Sequence, residues 1–189
     1  MTRVIIDPGH GGSDPGAICG VLKEKTICLA IAKEFNRLCL KAGHEAMLTR
    51  TIDDYVSLEF RTTMANVWQA DLFVSIHLNA DADDDTPGQP IGTGAEVWVY
   101  PGSKESRHFA EWVESAVDKF FPGQRFRGIK ESKSFYVLRK TTMPSAIVEL
   151  AFIDDPQSVA LNHTATQTKA AEALAWAVNQ YDKTRTVRV

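Results

Sequence analysis

Hydrophobic and polar positions along the chain switch between two periods. Val4, Ile5 and Ile6 form a short β-branched run that stops at Asp7-Pro8-Gly9-His10-Gly11-Gly12, which predicts a strand over 3–7 ending in a tight loop. From 26 to 41 the apolar residues Ile27, Ala30, Ile31, Phe35, Leu38 and Cys39 recur at helical spacing until Gly43 ends the pattern. Residues 46–50 read as a second strand, 56–69 as a helix with Leu58, Ala65 and Trp68 on one face, and 71–77 as a strand again. Segment 80–94 mixes five glycines and prolines (Pro87, Gly88, Pro90, Gly92, Gly94) with Asp81, Asp83, Asp84 and Asp85, has no period, and is expected to be an exposed loop. Beyond it the pattern predicts a strand over 95–100, a helix over 105–120, a polar and partly basic connection over 122–134, a strand over 145–152 and a closing helix over 166–181.

Strands alternating with helices imply a three-layer α/β fold, with a mostly parallel twisted central sheet of about six strands flanked by helices on both faces. The chain has 189 residues, 44% of them hydrophobic, which suits one domain with one core. We expect that domain over 1–182 and a loose tail over 183–189. The 21 Lys+Arg against 24 Asp+Glu give a net charge of -3, which provides no general field for nucleic acid. No apolar run approaches a membrane span, and the N-terminus reads directly into a strand, so neither a span nor a signal peptide is expected.

The chemistry collects at predicted strand ends, where open parallel sheets place their ligands. His10 follows the first strand, His77 ends the third, Glu149 lies late in the 145–152 strand, and Glu24 sits at the turn into the first helix. Two histidines and a carboxylate form a donor set for catalytic zinc, leaving a fourth position for water. Glu149 stands in a run that is otherwise apolar on both faces, so burial should raise its pKa toward the range of a general base. Each of the other residues alone has an ordinary reading: His77 as an interior or strand-end ring, Glu24 as a solvated charge near a helix start. Gly9-His10-Gly11-Gly12 lacks the features of a phosphate loop. Cys19, Cys28 and Cys39 read as structural thiols, since Cys28 and Cys39 lie too far apart on one helix to bridge. His44, His108 and His163 suit surface or helix positions, and Trp68, Trp112 and Trp176 suit the core.

The motifs resemble, in order and over nearly the whole chain, the zinc-dependent N-acetylmuramoyl-L-alanine amidases of the amidase-3 type. Val4 to Gly12 is similar to the family's opening motif, Glu24-Lys25 with Leu29-Ala30-Ile31-Ala32 to its second, Leu72 to Ala80 to its third, and Leu138 to Leu150 to its last. Leu48-Thr49-Arg50-Thr51, Arg61, Ala65-Asn66 and Gly94-Ala95-Glu96-Val97 fall between them. The resemblance implies that His10, Glu24 and His77 hold one zinc ion, that Glu149 is catalytic, and that the substrate is peptidoglycan, cut between muramic acid and L-alanine. Asn79 would orient the site or touch substrate. A zinc carboxypeptidase or endopeptidase on the stem peptide, or a non-catalytic peptidoglycan-binding module, are the alternatives.

Cell-division amidases of this type carry an inserted helix over the zinc. Segment 80–94 is too rich in Pro and Gly for one, so an open, constitutively active site is expected. A monomer is expected, acting on the cell wall as an endolysin released through a breached membrane or as a trimmed secreted protein.

Overall fold

The computed structural model describes residues 1–81 and 92–185. Its sheet has six strands in the order β4-β1-β5-β8-β6-β7. These are β1 (Arg3–Pro8), β4 (Glu45–Leu48), β5 (Leu72–Asn79), β6 (Ala95–Val99), β7 (Phe126–Glu131) and β8 (Ser145–Phe152). Between β1 and the first helix a small antiparallel hairpin, β2 (Ile18–Cys19) and β3 (Leu22–Lys23), stands apart from the sheet. β4, β1, β5 and β8 run parallel, whereas β6 runs antiparallel to β8 and parallel to β7. The mostly parallel three-layer α/β expectation is met.

Strand residues alternate between the two faces of the sheet. Val4, Ile6, Val74, Ile76, Ala146 and Val148 enter one core with α1 (Glu24–Lys41), α3 (Lys104–Phe120) and α5 (Thr164–Thr184). Ile5, Phe73 and Ile147 face the other way, toward α2 (Leu58–Val67) and α4 (Tyr136–Lys140). The α1 stripe of Ile27, Cys28, Ile31, Ala32, Phe35 and Cys39 is buried, as the spacing predicts. At roughly 25 cal/mol per Å2 of apolar area removed from water, these two cores are the main stabilising term.

Several local expectations are corrected. The polar stretch 122–134 contains β7, a half-buried edge strand, and α4 follows it. Helix α2 spans Leu58–Val67, narrower than 56–69, because Ser57 caps it by accepting from the Phe60 N–H at 3.1 Å. Helix α5 runs to Thr184, and Arg185 pairs with Asp71 at 3.3 Å and donates to the Met1 carbonyl at 2.9 Å. His44 is buried between α1 and β4, accepting the Thr2 N–H at Nδ1 and meeting Asn179 through Nε2. Trp68, Trp112 and Trp176 are half-buried at the rim of the cores, not inside them. The three thiols are free, with Cys28 and Cys39 buried.

Residues 82–91, and with them most of the segment on which an open site was expected, lie outside the described residues, as do 186–189. Among the described residues no helix is long and apolar enough to cross a membrane.

Candidate metal centre

β1 delivers the first donor through an unusual backbone. After Pro8 the chain turns at Gly9 and His10, and His10 adopts φ 58°, a left-handed conformation costly for a side chain with a Cβ. Two buried arginines hold it. Arg61, from α2, donates to the carbonyls of Pro8 (2.7 Å) and His10 (2.7 Å) and pairs with the buried Asp7 carboxylate at 2.6 Å. Arg50 donates to the carbonyls of Pro8, Gly9 and Lys25. Asp7 also accepts from Thr49 (2.6 Å) and Ser75 (2.7 Å), so the charge under the loop is fully hydrogen-bonded.

The second donor, Glu24, opens α1, where the positive end of the helix dipole favours a carboxylate. It is 3% exposed, far from the solvated charge that its sequence context suggests. Its Oε2 accepts from the Ala17 N–H (2.9 Å) and its Oε1 from the Leu78 N–H (3.0 Å). The same oxygens face His10 Nε2 at 3.1 Å and His77 Nδ1 at 2.9 Å. The third donor, His77, comes from near the end of β5, and its ring meets that of His10 edge-to-face at 4.9 Å. One donor atom each from His10, Glu24 and His77 lies within 4.8 Å of the others.

This cluster can hold a metal ion, and the donor set of two ring nitrogens and a carboxylate oxygen suits a borderline cation of the zinc type. The cradle around it has been kept clear. A Cβ on Gly9 would fall 2.5 Å from His77 Cε1, and one on Gly16, at φ 65°, 2.5 Å from Glu24 Oε2 and 2.6 Å from His10 Cδ2. Asp14 Oδ2 sits 2.9 Å from His10 Nδ1, fixing the ring so that Nε2 faces Glu24.

The electrostatics describe a place that demands positive charge. Burial works against a charged His10, yet Glu24 and Asp14 override it and raise its pKa to about 9. Burial opposes a charged His77 as well, but Glu24 and then Glu149 raise it. Burial alone would raise Glu24, and both rings instead drive it well below the usual carboxylate range.

Glu149 stands beside the cluster as the register partner of His77 across β5 and β8. Its Oε2 is buried with no hydrogen-bond partner among the described residues. Burial raises its pKa to about 7, although the neighbouring His77 charge pulls the other way. Asn79 donates through Nδ2 to Glu96 at 3.0 Å.

Sequence reasoning gave no role to Glu96, 1% exposed and opposite Glu149 across β6 and β8. The signal was present, because Glu96 interrupts the apolar run Ala95–Val99 just as Glu149 interrupts its own. Arg50 and Arg61 fall among the family-like motifs but, like Asp14, drew no role from the sequence, since their value lies in which distant carbonyl or ring they reach.

Fold and site together define an α/β domain whose strands bring to their carboxyl ends a His-Glu-His cluster that could hold a metal ion, beside Glu149, whose Oε2 has no partner among the described residues. The N-acetylmuramoyl-L-alanine amidase family matches residues 4–180, and the chain belongs to that family. It is 40% identical over 162 residues to the sporulation-specific N-acetylmuramoyl-L-alanine amidase of Bacillus subtilis, covering 82% of this chain and 57% of that protein. It is 36% identical over 167 residues to the endolysin of Bacillus phage SPP1, covering 85% of this chain and 59% of that one. The chain thus spans less than two thirds of the length of these relatives. Among solved structures, N-acetylmuramoyl-L-alanine amidase AmiC2 of Nostoc punctiforme superposes with a TM-score of 0.88 at 34% identity, over 96% of this chain and 97% of that chain. An N-acetylmuramoyl-L-alanine amidase from Clostridium difficile 630 gives 0.89 at 33% identity, over 98% of both chains.

Proposed function

We propose that this chain is a zinc-dependent peptidoglycan hydrolase that cleaves the amide between N-acetylmuramic acid and the L-alanine of the stem peptide, with residues 1–182 as its catalytic unit. The observation that carries the reading is the convergence of His10, Glu24 and His77 beside the unpaired Oε2 of Glu149. His10 through Nε2, His77 through Nδ1 and Glu24 would hold one zinc ion. When bound, zinc supplies Lewis acidity to the scissile carbonyl and to the attacking water. Glu149 takes the proton of that water at its free carboxylate oxygen and returns it to the departing amine nitrogen, a dual role that suits a carboxyl poised near neutrality. Asp14 keeps the His10 ring in its working tautomer, and Arg50 and Arg61 keep its backbone in place. Because all four groups come from one chain, a monomer suffices. The cell wall is where the activity is exerted, as for an endolysin.

The decisive experiment is mass spectrometry of purified sacculi after digestion, with and without a chelator and after zinc is restored. Intact stem peptides with a free L-alanine amine, lost on chelation and regained with zinc, are the expected products. Shortened stems would instead identify a carboxypeptidase or endopeptidase, and an absence of soluble products a binding module.

A further inference from the structure

Glu96 collects four side-chain donors. Its Oε1 accepts from Asn79 Nδ2 (3.0 Å) and Trp98 Nε1 (2.9 Å), and its Oε2 from Arg127 Nε (2.9 Å) and Lys130 Nζ (2.6 Å). One buried carboxylate therefore faces two cations, and the group keeps a net positive charge. A lone buried carboxylate needs one charged partner, and hydrogen bonds from Asn79 and Trp98 satisfy the rest of it. The second cation is surplus to that need.

The two cations are also presented outward. Arg127 rests its guanidinium over the Phe152 ring at 4.8 Å and uses only its Nε edge on Glu96, so among the described residues neither Nη has an acceptor. Lys130 stands over Trp98 at 5.1 Å. Their side chains are 27% and 33% exposed, while the Glu96 that fixes them is 1% exposed. The result is a preorganised fork whose free edge matches a carboxylate.

Its position relative to Glu149 gives that fork a purpose. His77, Glu149 and Glu96 are register partners on β5, β8 and β6, so their side chains form one row on one face of the sheet. Adjacent strands are about 4.8 Å apart, which puts the cations from β7 roughly one to two strand spacings beyond Glu149. A peptide residue spans about 3.3–3.6 Å, so that distance is covered by one to three residues of a stem whose leaving amine, on the reading above, takes its proton from Glu149.

We infer that Arg127 and Lys130, held by Glu96, form a subsite for the free α-carboxylate of the acidic residue that follows L-alanine in the stem peptide. The inference rests on the amidase reading above. Arg127 would be the specificity-determining contact, and Glu96 a positioning residue acting through it.

The test is isothermal titration of the zinc-loaded protein with two γ-linked tripeptides, L-alanyl-D-glutamyl-L-lysine carrying either a free or an amidated α-carboxylate. A charged hydrogen bond of this kind corresponds to about tenfold or more in affinity. Wild type is expected to bind the free acid about tenfold more tightly. Arg127→Gln should bring the ratio close to one, Arg127→Lys should leave an intermediate ratio, and the exposed Arg125→Gln should leave it unchanged. Thermal melts of each variant establish that it is folded, and Arg127→Lys, which preserves the charge facing Glu96, serves if Arg127→Gln is not. Equal binding of the two peptides by wild type, or an unaltered ratio in folded Arg127 variants, overturns the subsite. Failure to release stems from sacculi would overturn the amidase reading instead, and the binding ratio is read without any turnover.

Discussion

His77 and Glu149 are register partners on adjacent parallel strands, which puts a ring nitrogen of the donor cluster and a carboxylate whose Oε2 has no partner among the described residues in one row at the same edge of the sheet. The backbone hydrogen bonds of β5 and β8 set that spacing, so it does not depend on a loop. Glu149→Gln preserves shape and removes the proton-accepting oxygen. It should keep zinc stoichiometry by elemental analysis while hydrolysis of muropeptides falls by about 10²–10⁴. Near wild-type turnover would remove Glu149 from the reaction.

In the metal-free protein, His10 holds its proton up to about pH 9, against an ordinary value of 6.5. A proton bound more tightly by the folded form stabilises it fully below about pH 6.5, and that contribution is lost as the pH rises through about 9. His77 shifts in the same direction, and the depressed value of Glu24 acts only in acid, outside this window. Metal-free protein is thus expected to melt at steadily lower temperature between these pH values, with a flatter profile once zinc replaces the protons. Calorimetric zinc binding near pH 7.5 in buffers of different ionisation enthalpy should register proton release. A level melting profile for the metal-free form would contradict the assignment.

Arg61 is a buried cation whose partners include Asp7 and the carbonyls of Pro8 and His10. Removing one side of such a buried pair typically costs about 3–5 kcal/mol. For a domain of this size, Arg61→Ala should lower Tm by roughly 6–20 °C. The same change should weaken zinc binding, measured by competition with a chelator, because His10 loses the clamp on its left-handed backbone. Arg61→Lys retains the charge without the fork and should recover only part of either quantity.

Gly9 offers a cleaner separation of metal binding from folding. A methyl group there would lie 2.5 Å from His77 Cε1 and 2.7 Å from its Nδ1, while the rest of the strand end is untouched. Gly9→Ala is expected to lower zinc affinity about 10–100-fold, the range found when a supporting contact of a ligand is disturbed. Unchanged affinity in a folded variant would mean that His77 does not use the position seen beside Glu24.

Much of the sheet was legible because its central strands are buried on both faces and read as apolar runs, as in Val4–Ile6 and Ala146–Val148. β7 was not, because an edge strand half-buried from Phe126 to Lys130 on both faces alike, with Gly128 at φ 102° and a register shift against β6, has no two-residue period to detect. α4 is a helix of five residues, too short for a helical period. Within the site, strand-end placement brought His10 and His77 together on paper, and the burial argument singled out Glu149. The burial of Glu24 was hidden, since its neighbours Lys23 and Lys25 look solvated and only the hairpin of β2 and β3 explains why it turns inward. Arg61 looks like an ordinary helix-surface arginine until the fold shows it reaching across to Asp7.

The reversal of β6 has a consequence for how such a domain changes over time. The chain leaves the sheet at Asn79 and rejoins it at Ala95 on the same edge that carries the donors. Both departure points are pinned, Asn79 by the Ile153 N–H donating to its carbonyl and Ala95 by its own N–H donating to the Arg125 carbonyl. Because both ends of this connection are tied to the frame, changes of length between them over time leave the register that aligns His77 with Glu149 and Glu149 with Glu96 unaltered.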